Sequence, residues 1–188
     1  MGESPESPLL FVTGNPGKLA EAKRLAGRPL ESLAIDLPEI QSLDFEEVLR
    51  EKARAAFATA GRPLIVEEAG LELAVLNGFP GPLVRWMLEA MGAEGIARTA
   101  LALGDAKARA VAVLAWTDGT RRILGRGQAD GTLVFPARGN RGFGFDPVFR
   151  PDDSEHTFGE LSGEEKDRFS HRGKAWRDLL RQLGDEGL

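Results

Sequence analysis

Leu9-Leu10-Phe11-Val12-Thr13-Gly14-Asn15-Pro16-Gly17-Lys18-Leu19 is the stretch that sets the fold class. Leu9 to Val12 form a short apolar run of the kind found in buried strands. The run stops at Thr13-Gly14-Asn15-Pro16-Gly17-Lys18. Leu19, Ala22, Leu25 and Ala26 then recur on one helical face as far as Gly27. Strand, glycine-containing turn and helix in that order predict an α/β protein. The same order places backbone N–H groups and Lys18 at a helix N-terminus, where the helix dipole favours anions. The spacing is not that of a phosphate loop with two glycines five apart followed by Lys-Ser/Thr. An ordinary strand-to-helix turn is therefore an equal reading of this stretch alone.

Outward from that unit, Leu30 to Ile35 read as a second strand, followed by a loop containing Glu39. Asp44 is placed as an N-cap with Glu47 three residues on, a capping-box pattern. A helix follows, with Phe45, Val48, Leu49, Ala53 and Ala56 on its apolar stripe and Lys52 beside it, closed by Gly61. Leu64-Ile65-Val66 is a further buried-strand run that meets Glu67-Glu68-Ala69-Gly70, and Leu71 and Leu73 resume the strand pattern. The two carboxylates thus interrupt an apolar element, where α/β proteins place their chemistry, although a solvated pair in a turn is the commoner fate of Glu-Glu. After the loop Asn77 to Pro82, one helix carries Arg85 and ends at Gly92, and a second spans Ile96 to Leu103. Ala108 to Trp116, the turn Asp118-Gly119, Arg121 to Gly125 and Gly127 to Phe135 predict an antiparallel meander.

The glycine- and arginine-rich loop Pro136 to Gly142 delivers Phe143-Gly144-Phe145-Asp146-Pro147, two aromatics beside a carboxylate. Ser162 and Glu165 form a second capping box before a short helix carrying Lys166. Ser170 is the expected N-cap of the last helix, with Ala175, Trp176, Leu179 and Leu183 inward. His171 and Arg172 then fall in its first turn. Cations there oppose the dipole, so a role other than helix stability favours them.

Composition narrows the chemistry. The chain has 188 residues, 42% of them hydrophobic, and a net charge of −5, with no cysteine. Thiolate metal sites, disulfides and cysteine nucleophiles are excluded, so any metal is held mainly by oxygen, which suits Mg²⁺ or Mn²⁺. A basic coat for nucleic acid or an anionic membrane is absent, and no stretch approaches a membrane span. Residues 1–8 read as a disordered polar extension without signal-peptide character, and the cytoplasm is the expected compartment. Residues 9–188 read as a single domain.

Together these residues supply cations and backbone amides for phosphates, carboxylates for Mg²⁺, and aromatic faces for a base. Their order, Thr13-Gly14-Asn15-x-x-Lys18, Leu37-Pro38-Glu39-x-Gln41, Val66-Glu67-Glu68-x-Gly70-Leu71, Asn77-Gly78-x-Pro80-Gly81-Pro82, Gly142-Phe143-Gly144-Phe145-Asp146-Pro147 and Glu165-Lys166-x-x-x-Ser170-His171-Arg172-Gly173, resembles the inosine triphosphate pyrophosphatase family. The match runs from about Leu9 to Leu183. The resemblance implies a central mixed twisted sheet flanked by helices, in two lobes with the active-site cleft between them. It implies hydrolysis of ITP, dITP and XTP to the monophosphate and pyrophosphate, with Mg²⁺, by a homodimer.

By position, Thr13, Gly14, Asn15, Pro16, Gly17 and Lys18 would hold phosphates, helped by Lys52. Glu39 and Glu68 would bind metal, and Glu68 would also activate water, with Glu67 the alternative base. Phe143, Gly144, Phe145, Asp146, Lys166, His171 and Arg172 would enclose the nucleoside, and Arg85 stands where some relatives have a substrate-contacting lysine. Relatives usually carry Asp at the position of Glu68 and Ser or Thr at that of Ala69, so Ala69 lacks a hydroxyl that could touch substrate. The second expectation, from that departure, is a nucleotide-binding homologue with weak or altered catalysis.

Overall fold

In the computed structural model, residues 8–188 are described. The N-terminal extension expected over residues 1–8 lies, apart from Pro8, outside them. β1 (Leu9–Val12) is buried along its whole length, as an apolar run covered on both faces requires. Asn15 caps the helix α1 (Pro16–Leu25), its side chain accepting from the Lys18 N–H at 3.0 Å. β2 (Leu30–Leu33) pairs with β1 in parallel. α2 (Phe45–Ala60) is capped by Asp44, which accepts from the Glu46 and Glu47 amides. The expected capping box does not close there. Glu47 instead accepts from the Ser42 hydroxyl, which itself receives the Asp44 N–H.

β3 (Leu64–Leu73) is one unbroken strand of 10 residues, with Glu67 and Glu68 in its middle. The remaining elements are β4 (Pro80–Gly81), α3 (Val84–Ala102), β5 (Lys107–Thr117), β6 (Arg122–Leu133), β7 (Phe149–Pro151), α4 (Gly163–Phe169) and α5 (His171–Asp185). α3 is broken at Gly92, so its two halves are the two helices expected. The sheet order is β2-β1-β3-β5-β6-β7, with β4 added to β3. β1 joins β2 and β3 in parallel and the rest is antiparallel, so the sheet is mixed and the meander is present.

The two strands expected across residues 121–135 are a single strand, β6. Gly125 and Gly127 are contact points rather than breaks: a Cβ on Gly125 would overlap the Ala175 carbonyl, and one on Gly127 the His171 carbonyl. That close approach seats the first turn of α5 on the sheet and so fixes where His171 and Arg172 lie.

Among the described residues, three apolar clusters form the core. Two lie on opposite faces of the sheet: α2 packs over Leu64, Val66 and Val113, while Trp176 of α5 packs with Phe11, Ile65 and Leu114. The third surrounds the other end of β3 and β5, with α3, Phe149 and Phe158. β3 and β5 run through both ends. Along the β1 side of β3, pairing stops at Ile65 and resumes with β4 at Leu71. Residues 67–70 line that gap.

Candidate active site

The gap in the β3 edge gathers buried charged residues from several elements. Alternation along a strand sends Glu67 toward α5 and Glu68 toward α2. Arg172 of α5 forks onto Glu67 through Nε and Nη2, both at 2.8 Å. Its Nη1 donates to Glu21 of α1 at 2.5 Å. The other Glu21 oxygen accepts from Lys166 of α4 at 2.8 Å, and Lys166 also donates to Asp146 Oδ2 at 2.7 Å. The same Asp146 oxygen accepts the Phe143 N–H at 2.7 Å. At the opposite end, Lys18 Nζ lies 3.3 Å from Glu67 Oε1. Lys18, Glu67, Arg172, Glu21, Lys166 and Asp146 therefore form one chain of alternating charge.

Buried charges are tolerated only when paired and hydrogen-bonded, and this chain meets both conditions. Burial would raise the Glu67 carboxyl, but the Arg172 and Lys18 charges outweigh it and hold the group at about 2. Burial lowers Arg172, and the two carboxylates more than offset it, so its pKa lies above the ordinary arginine value. Burial raises the Asp146 pKa, against Lys166 and the Phe143 amide. His171 is buried against the Phe145 and Phe158 rings, at 6.0 Å from each centroid. Burial and the neighbouring Arg172 and Lys166 charges push its pKa well below the usual histidine value, so the ring is neutral. Its Nδ1 has no hydrogen-bond partner.

The Phe143 ring closes the site on the α1 side. Lys166 Nζ and Arg172 Cζ each lie 5.3 Å from its centroid, within cation–π range. Its other neighbour is Gly17, where any Cβ would overlap the ring. The acid–aromatic loop and the glycine turn are thus in direct contact. Gly144 is exposed beside the ring, and Phe145 is buried behind it. Thr13 accepts the Asn15 N–H through its hydroxyl. Gly14, Asn15 and Pro16 remain exposed at the start of α1, and Ala69 follows Glu68 half-buried.

A second group lies on the α2 side. Lys52 Nζ is 2.5 Å from Glu68 Oε2 and 2.8 Å from Glu39 Oε1, and 3.4 Å from the Glu67 carbonyl. Burial depresses the Lys52 pKa, but the two carboxylates reverse that and leave it raised. Glu39 is lowered, Lys52 outweighing its partial burial. Among the described residues no group of three or more His, Asp or Glu converges as a metal site. Two carboxylates converging on one cation position nevertheless fit a hard divalent ion that takes its other ligands from phosphate and water. Arg85 stands apart: it is exposed, bonds Glu89 at 2.8 Å on its own helix and lies over Trp86.

Glu21 escapes a local reading of the sequence. The available signal is that it lies three residues after Lys18, and so on the same helical face; its partners Lys166 and Arg172 lie about 150 residues away. Glu67 is visible as a candidate, but its place as the shared partner of Lys18 and Arg172 is not.

Residues 9–182 match the Ham1 family along almost the whole chain. The chain belongs to the Ham1 family. Relatives carry the activity names that the sequence motifs suggest. This Ham1 chain is 39% identical over 171 residues to the dITP/XTP pyrophosphatase of Methanopyrus kandleri, covering 89% of this chain and 91% of that protein. It is 40% identical over 174 residues to the inosine triphosphate pyrophosphatase of Aspergillus oryzae, covering 90% of each. The solved HAM1 protein from Coxiella burnetii superposes with a TM-score of 0.78 at 28% identity, over 94% of this chain and 99% of that one. The α/β architecture with a mixed sheet is therefore the Ham1 fold.

Proposed function

We propose that this Ham1 chain hydrolyses noncanonical purine nucleoside triphosphates, namely ITP, dITP and XTP, to the monophosphate and pyrophosphate, removing them from the nucleotide pool. One observation supports the reading above all: a single charge chain ties the acid–aromatic loop to the glycine turn, joining a base-sized aromatic face to a phosphate-binding helix start. Relatives named for these substrates support the same chemistry.

At the phosphate end, Lys18, Lys52 and the amides around Thr13 to Gly17 offset charge on the triphosphate. Mg²⁺, or Mn²⁺, held by Glu39 and Glu68 would add further neutralisation of the leaving pyrophosphate. A water oxygen bonds to the α-phosphorus as the α–β bridging bond breaks, pyrophosphate leaves, and Glu68 accepts the proton of the water. Glu67 is unsuited to that role. Its pKa of about 2 makes it a weak base, and both its oxygens are held by Arg172 and Lys18.

At the base end, Phe143 offers the stacking face. A guanidinium has five N–H donors, and Arg172 commits three of them to Glu67 and Glu21. The remainder suit the O6 acceptor of hypoxanthine or xanthine. Adenine presents a donor there and leaves a buried donor facing a donor, a mismatch worth roughly 10⁴-fold. Asp146 is turned into the loop, where it holds the Phe143 amide and Lys166, so it orients the reading surface from behind. The same reading makes the enzyme a cytoplasmic homodimer that takes a nucleotide and no nucleic acid. Among the described residues no helix is long and apolar enough to cross a membrane.

A turnover panel of ITP, XTP, dUTP, GTP and ATP with Mg²⁺ or Mn²⁺, analysed for products, tests the proposal. Pyrophosphate release from ITP and XTP far ahead of ATP is the expected result. Orthophosphate as the first product would remove the mechanism.

A further inference from the structure

Lys52 stands in an unusual place for a phosphate-binding lysine. Its ammonium sits at the point where the Glu39 and Glu68 carboxylates converge, at 2.8 and 2.5 Å, with the Glu67 carbonyl as a third acceptor. The side chain is 10% exposed, and its stem is packed within the buried face of α2. We infer that Lys52 is a placeholder for the divalent cation: its ammonium offsets half the charge of the carboxylate pair and keeps the pair closed to metal until a triphosphate draws it away. The inference rests on the proposed pyrophosphatase reading and adds the order in which the site is filled.

The charges require such an exchange. Glu39, Glu68 and Lys52 sum to one negative charge. A divalent cation entering beside the ammonium would put two cations within hydrogen-bond distance of the same oxygens, with the Lys18 and Arg85 charges also felt at Glu39. The ammonium can leave only if another anion receives it, because an unpaired buried charge is costly. Triphosphate oxygens are that anion. A single lysine movement then uncovers two carboxylates and adds a cation to the phosphates, so metal and nucleotide bind with positive coupling, and metal alone binds poorly.

The test is Mn²⁺ binding to the full chain without nucleotide, followed by electron paramagnetic resonance, for wild type, Lys52→Met and Lys52→Arg. Lys52→Met is expected to bind Mn²⁺ at least about tenfold more tightly than wild type, within the usual range of coupling between sites. Lys52→Arg keeps a cation in place and is expected to stay near wild type. Adding Glu39→Gln to Lys52→Met is expected to abolish the gain. Equal Mn²⁺ affinity in wild type and Lys52→Met would overturn the inference. If Lys52→Met does not fold, ¹³C-ε-lysine NMR of the wild type decides. The Lys52 resonance is expected to be unmoved by Mg²⁺ alone and displaced by Mg²⁺ with inorganic tripolyphosphate. Displacement by Mg²⁺ alone, or none with both, would overturn it. ITP turnover with unchanged Mn²⁺ affinities would remove the exchange and leave the activity standing; the reverse pattern would remove the activity.

Discussion

The two ends of the candidate site are built differently. At the base end, Lys166, Arg172 and Glu67 have side chains only 4%, 3% and 1% exposed, and each charge is held by a partner from a different element. At the phosphate end, the Lys18 side chain is 19% exposed and Glu39 49%, and the Lys18 contact is the longest in the charge chain. The difference teaches where rigidity serves the reaction. Telling one purine from another needs donors and acceptors fixed before the ligand arrives. Holding a flexible triphosphate and a metal needs cations that can change partner.

The sharpest way to break this comparison is to remove one charge from each end. Arg172→Met leaves Glu67 and Glu21 buried without their guanidinium and is expected to cost about 3–5 kcal/mol of stability. Lys18→Met removes a partly solvated contact and is expected to cost under about 1 kcal/mol. Urea unfolding of both variants measures the difference. Equal losses would mean that the two ends are equally rigid.

Acid should dismantle the base end in two steps. His171 is held neutral, its folded pKa below the unfolded value near 6.5. Its contribution is therefore complete above about pH 6.5 and declines as pH falls below it. Glu67 titrates at about 2 against an ordinary 4.5. Its contribution is complete above pH 4.5 and is lost as pH falls from there toward 2, amounting to about 3 kcal/mol by linkage. Urea midpoints taken from pH 8 to pH 3 should show both steps, and His171→Gln should erase only the upper one.

At the other end the expected loss is in rate. Glu68→Gln keeps the shape of the side chain but cannot accept a proton, and is expected to lower kcat by about 10²-fold or more, roughly 2.7 kcal/mol in barrier. Glu68→Asp, which keeps the carboxylate one methylene shorter, is expected to lose less. Steady-state pyrophosphate release from ITP measures both variants. A Glu68→Gln enzyme of normal rate would return the role of base to another group.

Much of this was legible in the sequence wherever the signal is local. The strand–turn–helix at Leu9 to Leu25, the caps at Asp44, Ser162 and Ser170, and the place of Glu67-Glu68 inside a strand that resumes at Leu71 follow from periodicity and side-chain chemistry within about ten residues. Gly125 and Gly127 misled because a glycine within a strand also marks close approach of another backbone, here α5, which cannot be seen locally. The Asp44 box failed because Ser42 competes for Glu47. The inward turn of Asp146 and the burial of Glu21 escaped for a common reason: each is set by Lys166, on a helix that meets them only in the fold.

The smallest expected effect concerns Arg85. The expectation places it beside the substrate, and its charge is felt at Glu39. Its hydrogen bond, however, goes to Glu89 one turn along α3, and its guanidinium lies 5.4 Å from the Trp86 ring centroid, with both side chains in solvent. Such exposed i,i+4 pairs contribute about 0.3–0.5 kcal/mol. Arg85→Ala is accordingly expected to shift stability by no more than about 0.5 kcal/mol. The KM for ITP is expected to rise only a few-fold, and less at high salt, where long-range attraction is screened. Calorimetric unfolding and KM measured at two ionic strengths test this. A large rise in KM that persists at high salt would place Arg85 at the phosphates and extend the adjustable end of the site onto α3, whereas a small, salt-sensitive change would confine it to steering the anion inward.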